Sequence, residues 1–350
     1  MFAIAITNQP LKIADNEFDI KEFEQKGRVV TVCTGDLFTE LEQIEEGFQI
    51  TEYIANKQKV IPNTKILSRV IVDMKQKTIE IFNPTISGRT IYYLIQNERE
   101  FYCSTHIFLL RNFGIKLEEN REVLPEFFIY RYVMPPNTLY KGIKKMFFGE
   151  RLKFSFTNEK FSVIGSSHFV FPESKIREKS IDMISKKVVD ILSNSIASLK
   201  PAKSDSALLL SGGLDSSILF KLSKDILDIN RTFSTDYPFL GLKGDVEKRN
   251  ALSASKALGA EHSYIEFTVE DYLRGFIEAI HVAEEPLHHL QSVLLYLLFK
   301  KGIPEKNKSE DNIKEITNFY DGIWSEEQER DINIGWGYQQ RRLHSTIFEF

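Results

Sequence analysis

The pattern of hydrophobic and polar positions changes partway along the chain, and this change divides it into two parts. From Met1 to about Ile164, short apolar or alternating runs separated by polar turns are typical of strands. Two helices are also predicted here, near Asp36–Glu46 and near Leu124–Tyr132. This pattern favours a sheet-dominated α+β domain. The predicted strands are Phe2–Ile6, Val29–Cys33, Val70–Met74, Thr78–Phe82, Thr90–Ile95, Phe101–Ser104 and Arg151–Phe156.

A long amphipathic helix predicted at Ile176–Leu199 leads into a different pattern. Strands and helices then alternate, which is typical of a doubly wound parallel sheet. Pro286 is well placed as the first residue of a further helix that runs to about Lys301. The other predicted elements are the strands Ala207–Leu210, Arg231–Ser234 and Ser263–Phe267 and the helices 214–226, Asp245–Leu258 and Val269–His281.

The change of pattern near residue 170 predicts the domain organisation. We expect a first domain over residues 1–170, a second over residues 171–303 and a divergent tail over residues 304–350. The tail is polar from Pro304 onward, and only Ser345–Phe350 has a strand-like pattern.

The stretch from Ala207 to Phe220, A-L-L-L-S-G-G-L-D-S-S-I-L-F, is the strongest candidate for chemistry. A short buried strand, a glycine turn and a helix N-terminus together make an anion site, because the first N–H groups of the helix have no partner within it. The hydroxyls of Ser211, Ser216 and Ser217 are donors for phosphate oxygens, and Asp215 suggests Mg²⁺ beside the anion. An ordinary turn and helix cap would use the same residue types, so composition leaves both interpretations open.

Composition and charge exclude several classes of function. A net charge of −4 gives no electrostatic case for a nucleic-acid partner. The apolar run at the N-terminus ends at Ile6 without basic residues before it, and Val293–Phe299 is too short to span a bilayer. Cys33 and Cys103 have no metal-ligand spacing, and we expect both to be small core residues. The chain is therefore expected to be cytoplasmic, without a membrane partner.

The order S-G-G-L-D-S-S at Ser211–Ser217 resembles the pyrophosphate-binding loop of the ATP pyrophosphatases, in the form found in the asparagine synthetase family. Further similar stretches are Ser87–Tyr93, Pro135–Leu152, Thr232–Thr235, Asp245–His262 and Glu284–Pro286. The resemblance implies a β-rich, N-terminal nucleophile hydrolase-like α+β domain. It implies that a PP-loop domain, similar to the adenine nucleotide alpha hydrolases, follows with its parallel sheet.

The resemblance also implies a reaction and a site. In the family, ATP adenylates a carboxylate with release of pyrophosphate, and an amine attacks the acyl-adenylate to form an amide. The substrate would be a small-molecule or peptide carboxylate, and the resemblance is compatible with a homodimer. By resemblance, Asp215 would bind Mg²⁺, and no catalytic residue is assigned. The residues implied to contact ATP and its pyrophosphate are Leu210, Ser211, Gly212, Gly213, Asp215, Ser216, Ser217 and Thr235.

Two departures from the family pattern keep other functions open. The glutaminase nucleophile of the family is a cysteine, but this chain has Phe2 at the corresponding position, so we expect the first domain to have lost glutamine hydrolysis. No S-G-x-G-x-D-E motif follows Ile303. The open alternatives are a β-lactam synthetase-like or lasso-peptide macrocyclase-like activity, or a catalytically incomplete nucleotide-binding protein.

Three further sets of polar residues are weaker candidates. Glu284 with His288, and Glu285 with His289, have metal-ligand spacing on a helix, but solvated or capping roles are the better interpretation. A structural role is expected for His262, and a turn role for Asp236 is at least as well supported as metal binding.

Overall fold

A computed structural model describes residues 2–8, 11, 19–25, 28–34, 39–53, 66–83, 90–157, 160–170, 180–199, 207–238, 242–287 and 289–302. The chain forms two compact units. The first unit comprises Met1–Phe171 and Glu284–His288, and the second comprises Pro172–Ala283 and His289–Phe350. The predicted tail, including the strand at 345–350, lies outside the described residues.

Two antiparallel sheets of six strands each form the first unit. The first sheet has the order β10-β8-β9-β1-β3-β2, and the second has the order β12-β11-β7-β6-β5-β4. The strands of the first sheet are β1 (Phe2–Thr7), β2 (Asp19–Gln25), β3 (Arg28–Thr34), β8 (Tyr92–Gln96), β9 (Glu100–Ser104) and β10 (Lys144–Lys145). Those of the second are β4 (Thr39–Ile44), β5 (Gly47–Tyr53), β6 (Ile66–Asp73), β7 (Thr78–Phe82), β11 (Glu150–Ser155) and β12 (Ser162–His168).

Strands β1 and β3 are buried on both faces, which explains their continuous apolar sequences. Because side chains alternate along a strand, Ile4 and Ala3 enter different cores. Ile4 packs in a core shared with residues of the second sheet, such as Ile50. Ala3 packs in a second core, which a 3₁₀ helix at Ile107–Phe113 covers. A further 3₁₀ turn, Arg121–Val123, leads into helix α1 (Leu124–Tyr130).

The helix predicted near Asp36–Glu46 is wrong where the structure describes it. Residues Thr39–Ile44 form β4, which pairs with β5 as an antiparallel hairpin. Leu41 packs against the core while Glu40 points outward, so the segment alternates as a strand does. Cross-strand pairing overrides the helical preference of its glutamates. Strands β2, β5, β10 and β12 were not predicted either.

The second unit contains a parallel sheet of three strands in the order β13-β14-β15. Its elements are α2 (Ile181–Leu199), β13 (Ala207–Leu209), α3 (Leu214–Leu227), β14 (Arg231–Thr235), α4 (Leu242–Leu258), β15 (Glu261–Ile265), α5 (Val269–Ala283), α6 (Gln291–Leu297) and a π-helical turn at Leu298–Gly302. One face of the sheet packs against Leu298, and the other packs against residues of α3 and α4 such as Phe220 and Leu258. The protein is therefore mixed α/β, with antiparallel sheets and a parallel sheet.

The last helix begins later than predicted. Pro286 does not begin it, because residues 284–287 are not helical and α6 begins at Gln291. Glu284 has a left-handed backbone (φ 54°), and the side chains of Glu284 and Glu285 are bound within the first unit. These contacts hold the segment away from helical geometry. None of the helices among the described residues is long and apolar enough to cross a membrane.

Candidate functional site

The turn Ser211–Gly213 connects β13 to α3 at the carboxyl end of the parallel sheet. The Leu210 N–H donates to the Phe233 carbonyl at 2.9 Å and continues the pairing with β14 to the edge of the turn. Gly213 is the N-cap of α3, and its carbonyl accepts the first helical hydrogen bond from the Ser217 N–H at 3.1 Å. The turn thus places the unpaired N–H groups of α3 at the carboxyl ends of the strands.

Gly212 is the residue of this turn that must be glycine. Its backbone is left-handed (φ 78°), a conformation that side chains disfavour. A Cβ atom there would lie 2.4 Å from the Asn250 carbonyl carbon and 2.6 Å from the Ala251 nitrogen. Gly213 has no such restriction, since its φ is −73° and its nearest obstacle is the Ser211 Oγ at 3.3 Å. Gly212 therefore allows α4 to pack directly against the turn.

The serine hydroxyls of the turn bond to the turn itself. The Ser211 Oγ lies 3.1 Å from the Ser216 Oγ and accepts a hydrogen bond from the Gly213 N–H at 3.3 Å. The hydroxyls of Ser216 and Ser217 donate to the Gly213 carbonyl at 3.2 and 2.7 Å. These bonds fix the shape of the turn, and a bound anion would compete for the same hydroxyls.

A cavity of about 230 Å³ opens beside the turn. Six of the predicted site residues line it, namely Leu210, Ser211, Gly213, Asp215, Ser216 and Thr235. The other two, Gly212 and Ser217, do not line the cavity. The remaining lining residues are Leu209, Leu214, Phe233, Ser234, Glu247, Ala251, Tyr264, Gln291, Leu294, Leu295 and Leu298.

Comparisons with known proteins match the part of the chain that contains this cavity. Residues 187–302 match the asparagine synthase family model. The matched range begins within α2 and includes the Ser211–Gly213 turn and every lining residue of the cavity. Residues 187–302 are an asparagine synthase-family domain. The family consists of ATP-dependent ligases that form amide bonds.

An alignment with a curated protein covers a larger part of the chain. Over 217 residues the chain is 24% identical to the glutamine-hydrolysing asparagine synthetase 1 of Bacillus subtilis (strain 168). The alignment covers 61% of this chain and 33% of the relative. The chain thus spans about a third of the length of that relative.

The sequence did not predict the part of the cavity that α4, β15 and α6 contribute. Glu247 and Ala251 lie four residues apart on α4, so they share a helix face, and this spacing was a usable signal. Tyr264 and Gln291 had no comparable signal, because their position depends on how distant elements pack. The asparagine synthase-family domain therefore has a larger site than its glycine motif indicates.

The charged side chains that line the cavity are all acidic in the described part of the chain. Among its described lining residues, Asp215 and Glu247 are acidic and none is lysine, arginine or histidine. Lys248, next to Glu247, forms a salt bridge with Glu266, and its Nζ lies 4.5 Å from the centre of the Tyr264 ring. That lysine therefore has partners of its own and is not among the residues that line the cavity.

Two side-chain oxygens near the end of β14 lack partners in the described part of the chain. The Thr235 Oγ1 and the Asp236 Oδ2 are buried, and neither has a hydrogen-bond partner among the described residues. The Asp236 Oδ1 accepts a hydrogen bond from the Tyr237 N–H at 2.7 Å, which is the expected turn role. Burial raises the pKa of Tyr237, and the carboxylates of Glu247 and Asp236 raise it further. Buried unpartnered oxygens of this kind require an explanation.

His262 has the structural contacts expected of it. Its Nδ1 lies 2.9 Å from the Thr232 Oγ1, and its Nε2 lies 2.9 Å from the Ser234 Oγ. Burial lowers the pKa of His262, which favours the neutral ring. A neutral ring both donates and accepts, so it can bond to both hydroxyls and join β14 to β15.

The two glutamates with metal-ligand spacing have other partners. Glu284 accepts hydrogen bonds from the N–H groups of Ile107 and Phe108 at 2.8 and 2.5 Å, and Glu285 pairs with the Lys145 Nζ at 2.7 Å. The expected capping role thus applies to Glu284, whereas Glu285 is buried rather than solvated. His288 lies outside the described residues. No group of three or more metal-binding side chains occurs in the described part of the chain.

Proposed function

We propose that the asparagine synthase-family domain binds ATP in the cavity and activates a substrate carboxylate as an acyl-adenylate. An amine then displaces AMP to form an amide, and pyrophosphate is the other product. The observation that supports this most is the convergence of the glycine turn, the N-terminus of α3 and the ends of β13 and β14 on one cavity. Backbone N–H groups at such a position stabilise the charge on a leaving pyrophosphate.

The proposed contacts follow from this arrangement. Ser211, Gly213 and Ser216, which line the cavity, would hold the pyrophosphate. The resemblance to the family's loop adds Gly212 and Ser217, which lie in the same turn and helix start. The main chains of Leu210 and Thr235 would contact the nucleoside, since both residues line the cavity at strand ends. The unpartnered Thr235 Oγ1 is consistent with a ligand nearby.

A magnesium ion fits the site only together with the nucleotide. Asp215 offers one exposed carboxylate at the cavity, and no larger metal-binding group exists among the described side chains. Mg²⁺ commonly takes one or two carboxylates and completes its shell with phosphate oxygens and water. We therefore assign Asp215 as its protein ligand. When bound, the ion would neutralise phosphate charge during the departure of pyrophosphate.

We further propose that the reaction does not use glutamine hydrolysis by this chain. Its two cysteines, Cys33 and Cys103, are both buried, and burial raises the pKa of Cys103. A thiol with a raised pKa is a poor nucleophile. The Phe2 side chain, which has no nucleophilic atom, is fully buried in the core of the first unit. The nitrogen would come from ammonia or from an amine on a substrate.

The test is ATP–pyrophosphate exchange with a panel of carboxylates that includes aspartate and peptides. We expect Mg²⁺-dependent exchange with at least one member of the panel and no exchange without a carboxylate. ATP binding is measured in parallel by calorimetry. Binding without exchange would reduce the function to nucleotide binding, and absence of both would overturn the proposal.

A further inference from the structure

Three hydrogen-bonded side chains lead from the interior of the parallel sheet to the cavity. His262 on β15 bonds to Thr232 and Ser234, which lie two residues apart and so on the same face of β14. Its Nδ1 is 2.9 Å from the Thr232 Oγ1, and its Nε2 is 2.9 Å from the Ser234 Oγ. Thr232 is fully buried, whereas Ser234 is one of the residues that line the cavity. One end of this chain of hydrogen bonds is therefore fixed in the core, and the other end meets the cavity.

The buried end determines the direction of the hydrogen bonds. Among the described residues, the hydroxyl of Thr232 has the His262 Nδ1 as its partner and no other. A ring hydrogen on Nδ1 would point at the threonine oxygen and leave the buried hydroxyl hydrogen without an acceptor, which is costly. Burial lowers the pKa of His262, which favours the neutral ring with a single N–H. The Thr232 hydroxyl therefore donates to Nδ1, and the ring hydrogen lies on Nε2.

This direction gives the Ser234 hydroxyl a defined role at the cavity. With the ring hydrogen on Nε2, the Ser234 oxygen accepts a hydrogen bond from His262. The hydroxyl hydrogen of Ser234 then has no acceptor among the described residues, and it remains for an atom inside the cavity. His262 thus makes Ser234 a hydrogen-bond donor, where a serine without such a partner would donate or accept equally well.

The neighbours of Ser234 are the two residues proposed to contact the nucleoside of ATP. The Leu210 N–H donates to the carbonyl of Phe233, so Leu210 lies beside Ser234 on the adjacent strand. Thr235 follows Ser234 directly, and its buried Oγ1 has no partner among the described residues. The turn proposed to hold the pyrophosphate begins only at Ser211. Ser234 is therefore better placed for the nucleoside than for the phosphates.

We propose that the Ser234 hydroxyl donates a hydrogen bond to the nucleoside of ATP and that His262 positions this hydroxyl. The inference rests on the proposed function for the location of the nucleotide, and it adds a side-chain contact with a defined donor. The ligand atom is a hydrogen-bond acceptor of the nucleoside. His262 is a positioning residue, since it acts on the ligand only through Ser234.

Nitrogen-15 NMR of the histidine rings in the full chain tests the direction of the hydrogen bonds without any ligand. The chain has seven histidines, and the loss of signals in His262→Gln identifies those of His262. We expect the ring hydrogen of His262 on Nε2. A hydrogen on Nδ1 would overturn the proposed direction.

Calorimetric titrations with ATP and with inorganic pyrophosphate, both with Mg²⁺, test the contact. Ser234→Ala should weaken ATP binding by about three- to tenfold, as expected for one hydrogen bond, and change pyrophosphate binding by less than about twofold. Ser263→Ala is the matched control, because Ser263 lies on the neighbouring strand and does not line the cavity. It should leave both affinities unchanged. Unchanged ATP binding in Ser234→Ala, or an equal loss of pyrophosphate binding, would overturn the nucleoside contact.

Two substitutions of His262 separate positioning from a purely structural role. A glutamine amide matches the position of Nε2 and can donate to Ser234, whereas an asparagine amide matches the position of Nδ1. His262→Gln should therefore retain the ATP affinity within about twofold, and His262→Asn should weaken it as much as Ser234→Ala does. The double variant Ser234→Ala/His262→Asn should bind no more weakly than Ser234→Ala. Equal losses in the two His262 variants, or additive losses in the double variant, would overturn the positioning role.

The outcomes also separate this inference from the proposed function. Ser234→Ala leaves His262 in place, so the contact stays testable even if a His262 variant fails to fold. ATP–pyrophosphate exchange together with ATP binding that does not depend on Ser234 would defeat this inference alone. ATP binding that depends on Ser234 but occurs without exchange would support the inference and defeat the ligase reaction.

Discussion

Carboxylates in the two units of the protein have opposite surroundings. In the first unit, Glu285 pairs with the buried Lys145 at 2.7 Å, and Glu284 accepts hydrogen bonds from two backbone N–H groups. In the second unit, Asp215 and Glu247 line a cavity that has no basic side chain among its described lining residues. A carboxylate with buried partners stabilises the fold, whereas one that faces a cavity without them is available to a ligand. The comparison shows that function is indicated by the partners of a residue rather than by its type.

The largest expected effect concerns the paired carboxylate. Lys145→Met leaves Glu285 as a buried charge without its partner, and this should lower the free energy of unfolding by about 3–5 kcal/mol. Denaturant unfolding of the full chain measures the change. Lys144→Met, at the exposed neighbouring position, is the matched control and should stay within about 0.5 kcal/mol.

The double variant Lys145→Met/Glu285→Gln should regain part of the lost stability, because the unpaired charge is removed. If Lys145→Met cost less than about 1 kcal/mol, the pair would not be a buried structural contact and the contrast between the units would fail.

The second effect is a pH dependence of stability due to Glu284. Burial raises the pKa of this carboxyl from 4.5 to about 8, although its two N–H donors act in the opposite direction. Between these values the folded state holds a proton that the unfolded state has released. The contribution of Glu284 to stability is therefore lost as pH rises, by up to about 1.4 kcal/mol per pH unit across this range.

The variant Glu284→Gln isolates this dependence. Its stability relative to the unmodified protein should rise with pH between about 5 and 8 and should be constant above that range. Chemical unfolding at several pH values measures the difference. Glu122→Gln, an exposed substitution in the same unit, should give a difference that does not vary with pH. A flat difference for Glu284→Gln as well would show that its pKa is not raised.

A smaller effect is expected at the turn of the cavity. Gly212→Ala places a side chain on a left-handed residue and against the backbone of α4, so it should cost about 1–3 kcal/mol and weaken ATP binding. Gly213→Ala is the matched control and should cost about 1 kcal/mol or less, because its backbone is extended. Thermal unfolding and ATP titration measure both changes. Equal costs at the two glycines would contradict the account of the turn.

Sequence patterns predicted the second unit well for a physical reason. Strand β13 is a short apolar run, and the helices have apolar residues at helical spacing, so local patterns indicate where these elements lie. The glycine turn was also visible, since its residue types reflect local backbone requirements. Strand β13 and helix α3 begin where the pattern at Ala207 and Leu214 predicts.

The missed features depend on contacts between residues far apart in the sequence. Strand β4 contains two glutamates and a glutamine and resembles a helix locally, and its pairing with β5 makes it a strand. The Lys145–Glu285 pair joins residues separated by 140 positions. Glu247 reaches the cavity because α4 packs against Gly212. No periodicity in a single sequence encodes such contacts.

The most direct test of the central claim is a calorimetric titration with ATP, with and without Mg²⁺. We predict that Mg²⁺ increases the affinity for ATP by about tenfold or more and that Asp215→Asn removes this gain while the fold is retained. Asp225→Asn, an exposed acidic position later on the same helix, should behave as the unmodified protein does. Absence of ATP binding in the unmodified protein, or an equal Mg²⁺ gain in Asp215→Asn, would contradict the account.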